Sequence, residues 1–77
     1  MWGKIWFGKD RDACNCIVNI MLKNGYHGVE EMSNAEYTLI TFGPDMEVNV
    51  YHTDDIKHFH DLDYQEIDLT WLLGELK

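Results

Sequence analysis

Basic residues are what this 77-residue sequence has least of. Six Lys and Arg stand against fourteen Asp and Glu, a net charge of −8. Between Lys23 and Lys57 there is no Lys or Arg at all. Residues 1–23 carry Lys4, Lys9, Arg11 and Lys23 against Asp10 and Asp12, a balance of +2, whereas residues 24–77 carry twelve acids against Lys57 and Lys77, a balance of −10. A surface with this bias repels nucleic acid and anionic membranes at long range and speeds encounter with basic proteins.

Other absences exclude whole classes. No apolar run approaches the roughly 20 residues that span a bilayer. The start, MWGKIWFGKDRD, has neither an apolar h-region nor a small-residue cleavage site, so a signal peptide is not expected. Two cysteines separated by one residue, Cys14 and Cys16, sit too close for an unstrained bridge within a regular helix. They are also too few for a secreted disulfide framework. The expectation is a cytoplasmic protein with reduced thiols, in the host cytoplasm if phage-encoded. The single serine, Ser33, has no G-x-S-x-G around it, and Gly3 and Gly8 match neither the P-loop nor the dinucleotide pattern. No catalytic residue and no cofactor is expected.

What is present is core material. Hydrophobic residues make up 45% of the chain, ten of them aromatic, which suits one small folded domain over residues 1–77 and argues against disorder. Bulky residues in 2–7 (WGKIWF) predict a first strand. Ala13, Ile17, Ile20 and Met21 at helical spacing, with Asp10 or Asp12 as cap and Asn24-Gly25 as stop, predict a helix over about 11–24. Tyr26 to Met32 is a candidate second strand. Residues 36–42 (EYTLITF) and 46–51 (MEVNVY), joined by Gly43-Pro44-Asp45, predict a hairpin with Met46, Val48 and Val50 on one face and Glu47, Asn49 and Tyr51 on the other. Thr53 is the expected cap of a short helix that sends Ile56 and Phe59 to the core. Residues 61–68 are ambiguous. Leu69, Leu72, Leu73 and Leu76, capped by Asp68, predict a final helix. The order β-α-β-β-β-α-α gives an α+β fold: a small antiparallel sheet of three to four strands with helices packed on one face.

Two clusters carry chemically capable residues. His52, Asp54, Asp55, His58, His60, Asp61 and Asp63 lie within twelve residues and include good zinc-ligand types. Their spacing matches no known site, and His58 and His60 diverge on a helix. A solvated polar segment is the preferred reading, with a metal-binding protein as the alternative. Cys14 and Cys16 are read as core or flank residues.

The acids themselves remain. Duplex DNA presents one charge about every 1.7 Å of axis, and carboxylates fixed on strands and helices can occupy comparable positions in a basic groove. Glu30, Glu31, Glu36, Asp45, Glu47, Asp54, Asp55, Asp61, Asp63 and Glu66 are the candidate partner-binding acids. Trp2, Trp6, Tyr51, Tyr64 and Trp71 are candidate anchors, since interface hot spots are enriched in aromatics. For Trp6 and Trp71 core is the favoured reading. In size and surface the chain resembles the small acidic host-takeover proteins of bacteriophages, among them anti-CRISPR, anti-restriction and polymerase-inhibiting proteins. The likeness covers no aligned segment and assigns no residue. It implies a non-enzymatic inhibitor that acts as a DNA mimic. Its expected partner is a basic, nucleic-acid-binding protein, with no direct contact to nucleic acid or membrane. A structural or oligomeric subunit, such as a homodimer, is the further alternative.

Overall fold

A computed structural model describes residues 2–30 and 33–76. In chain order these form β1 (Gly3–Gly8), α1 (Arg11–Lys23), β2 (His27–Glu30), β3 (Tyr37–Phe42), β4 (Glu47–Thr53), α2 (Ile56–Asp61), β5 (Gln65–Glu66) and α3 (Leu69–Glu75). One five-stranded sheet runs β2-β4-β3-β1-β5. β3 is antiparallel to β1 and β4, whereas β2 is parallel to β4 and β5 is parallel to β1. The fold is α+β, but the sheet is mixed and larger than the antiparallel three to four strands expected. The difference has two causes. α1 is a crossover connection, and a helical crossover lays the next strand parallel. β5 is only two residues long, fixed by Gln65 N–H donating to the Trp2 carbonyl (3.1 Å) and Ile67 N–H to the Lys4 carbonyl (2.9 Å). A strand that short leaves no alternation to recognise.

Side chains alternate across a strand. Ile5, Ile40, Phe42, Val48 and Val50 therefore share one face, where Cys14, Ile17 and Met21 of α1 and Leu72 of α3 close the main core over them. Lys4, Trp6 and Leu39 face the other way. There α2 supplies the buried Phe59, whose ring lies 5.2 Å from that of Trp6, itself 5.3 Å from Tyr37. Helices thus cover both faces, not one, because β1 places bulky residues on both of its sides. Lys4 is only 6% exposed. Its Nζ donates to the carbonyls of Phe59 (2.8 Å) and Leu62 (3.0 Å) and sits 4.6 Å from the Phe59 ring centroid. It satisfies acceptors at the C-terminal end of α2, where helix carbonyls lack intrahelical partners.

Three aspartates start the three helices. Carboxylate oxygens of Asp10, Asp55 and Asp68 accept the N–H of Ala13, Lys57 and Thr70. Asp55 takes the role expected of Thr53, whose hydroxyl instead accepts the Asp55 N–H at 3.0 Å. Ile56, expected in the core, is exposed. Met46, expected in line with Val48, has a left-handed φ of 62° and is also exposed.

Candidate functional site

The strand directions sort the acids into two groups. Gly8, Tyr37 and Thr53 lie at one end of the sheet, called here the upper end, whereas Glu30, which ends β2, pairs with Val50 in mid-sheet, its carboxylate 3.8 Å from His52. Asp10, Asp12, Glu36, Asp54 and Asp55 gather at the upper end. The Asp54 carboxylate accepts the Glu36 N–H at 2.7 Å. Lys9 Nζ lies 3.0 Å from Glu36, which pushes the lysine above its usual range, chiefly through their hydrogen bond. Arg11 donates to the Ser33 and Ala35 carbonyls.

Gly3, Phe42, Glu47 and Gln65 mark the lower end. Asp45 belongs here, its carboxylate accepting the Glu47 N–H at 3.1 Å. So do Glu47, 3.8 Å from His27, and Glu66 of β5. At about 3.3 Å per residue, the length of β4 separates Glu47 from Asp54 and Asp55 by roughly 20 Å. The hairpin acids and those of the following segment are therefore not one patch. Asp61 lies 3.9 Å from Lys57 on α2, and Asp63 is exposed just before β5. Glu31 lies outside the described residues. Among the described residues, Glu36 and Asp61 alone come within salt-bridge range of a lysine.

Aromatic side chains distinguish the lower end. Trp71 is 47% exposed and Trp2 44%. Tyr64 meets Trp2 edge to face at 5.8 Å, and a Cβ on Gly43 would overlap the Trp2 ring. Trp71, Tyr26, Phe42, Met46 and Glu75 line a groove of about 340 Å³, and Trp71 with Glu66, Ile67 and Asp68 lines a second of about 430 Å³. Tyr64 is thus placed with these aromatics. Tyr51 is not: it is half-buried in β4, opposite Leu39. Trp71, expected in the core, is a surface residue. The signal lay in the sequence, because Trp71 falls off the Leu69, Leu72, Leu73, Leu76 stripe.

The histidine and acid segment does not converge. His52 points to the α1 face, where its Nδ1 lies 3.0 Å from Thr38 Oγ1, while His58 and His60 ride on α2 across the sheet. Among the described residues, no three His, Cys, Asp or Glu are grouped so as to hold a metal ion. The His52 side chain is 5% exposed, and among the described residues its Nε2 has no hydrogen-bond partner, lying 3.8 Å from Glu30 Oε2. Cys14 is buried and Cys16 exposed. Burial, then the charge of Glu30, pushes the Cys14 thiol up to about 11 against a smaller opposing effect of Arg11. No described helix is long and apolar enough to cross a membrane. No family model matches the chain, and no curated protein or solved structure shows significant similarity to it.

Proposed function

We propose that the chain is a non-enzymatic protein-binding module, a small acidic inhibitor that covers the nucleic-acid-binding surface of a basic partner, as phage anti-defence proteins do. The observation that carries this reading is the lower end of the sheet. Exposed Trp2 and Trp71 stand there among Asp45, Glu47, Asp63, Glu66, Asp68 and Glu75. Aromatic anchors inside a charged rim are the usual anatomy of a protein interface. The carboxylates repel nucleic acid and supply phosphate-like acceptors to lysine and arginine.

The test is affinity capture from the source cell, followed by association kinetics of the purified partner over a range of NaCl. The expected result is an association rate that falls steeply with salt. A rate unchanged between low and moderate salt counts against the reading.

A second reading is self-association. β2 is an edge strand of four residues, and edge strands pair readily with other chains. A monomeric mass in dilute solution removes it.

A further inference from the structure

The two lower grooves share one wall, the indole of Trp71. On one side the lining includes Tyr26, Phe42 and Met46. On the other, Glu66 and Asp68 stand beside the ring, along the open edge of β5. The N–H groups of Gln65 and Ile67 are spent on β1. Strand alternation then turns the Glu66 N–H outward, towards whatever lies along that edge. Neither groove has a Lys or Arg in its described lining, while Glu66, Asp68 and Glu75 contribute three carboxylates.

We propose that Trp71 receives an arginine-containing segment of the basic partner, the guanidinium lying on the indole between Glu66 and Asp68 and a neighbouring apolar side chain entering the Met46 groove. The inference rests on the proposed docking function and names the chemistry of its occupant. A planar guanidinium stacks on an indole while its edge hydrogens reach carboxylates, which an ammonium does not match. Asp68 gives one carboxylate oxygen to the Thr70 N–H at 2.9 Å and keeps the other for a ligand. The negative rim disfavours a nucleic-acid base on the same ring.

The experiment titrates the ¹⁵N-labelled full chain with a short peptide bearing a Leu-Arg-Leu centre, with its Lys and Gln counterparts, and with a single-stranded oligonucleotide. The expected result is a saturable shift of the Trp71 indole N–H and the Glu66 amide with the Arg peptide. Binding should be several-fold weaker for Lys and absent for Gln and for the oligonucleotide. Trp71→Ala should weaken the Arg peptide by about tenfold, with the Trp6 indole signal unchanged as the check on folding. Glu66→Lys, on an exposed edge, should do the same if Trp71→Ala proves unfolded. Unchanged affinity in these variants overturns the proposal, as do shifts spread over the acids of both ends or a preference for the oligonucleotide. Should the captured partner bind Trp71→Ala normally and still show a steep salt dependence, this inference fails alone. A salt-independent association removes the docking function with it.

Discussion

Lys4→Met tests how α2 is held on the sheet. Methionine keeps most of the buried stem but removes the donors to the Phe59 and Leu62 carbonyls at 2.8 and 3.0 Å. A hydrogen bond from a charged donor contributes about 1.5–3 kcal/mol. The Phe59 bond is buried, and its carbonyl keeps only the longer bond from the Leu62 N–H at 3.3 Å, whereas the Leu62 carbonyl is partly exposed and regains water. The net loss should be about 2 kcal/mol. For a domain of this size each kcal/mol moves the midpoint by about 4–8 °C, so the fall should be roughly 8–16 °C. Thermal and urea unfolding followed by far-UV circular dichroism measures it. Near-UV bands should report the loss of Trp6 packing on Phe59. A variant within about 0.5 kcal/mol of the parent would refute the assignment of Lys4 as the clamp on α2.

Three further outcomes follow from single side chains. Thr41 is 2% exposed and its hydroxyl finds no partner among the described residues, so Thr41→Val should stabilise the fold by about 1 kcal/mol in urea unfolding; destabilisation would mean that the hydroxyl is satisfied after all. With Cys14 buried and its thiol raised to about 11, a thiol reagent at pH 8 should modify Cys16 rapidly and Cys14 only on unfolding; two fast-reacting thiols would contradict the burial. Charge reversal at Asp63 and Glu66, for whose carboxylates no hydrogen bond or ion pair is found among the described residues, should slow partner association without moving the melting temperature, while Asp55→Lys should also lose about 1 kcal/mol through the vacated helix cap. Equal melting temperatures for all three would show that Asp55 caps nothing.

The regular elements were legible where the pattern was long. α1 and the β3–β4 hairpin follow from spacing and caps, because each buries a repeating stripe; the Asp68-capped α3 follows from its cap and spacing too, although of its leucines only Leu72 is fully buried and Leu73 is exposed. Three features escaped. β5 is held by two backbone bonds to β1, a property of its neighbour and not of its own side chains. The position of α2 depends on β1 presenting Lys4 and Trp6 on one side and Ile5 on the other, so that both faces need cover. The division of the acids between two ends follows from strand directions, which α1 sets by crossing over. That division changes what an acidic sequence means here. Asp10, Asp45, Asp54, Asp55 and Asp68 each cap a backbone N–H, so part of the charge has a structural use. Asp63, Glu66 and Glu75, also at the aromatic end, accept no such bond among the described residues.

Competition at the partner's nucleic-acid site is the most direct measurement of the central claim. A fluorescent oligonucleotide bound to the captured partner is titrated with this chain, and its anisotropy is followed at two salt concentrations. The proposed function predicts full displacement, weakened by added salt and by Asp63→Lys with Glu66→Lys. A stable ternary complex, with the oligonucleotide still bound while this chain is also held, would contradict it.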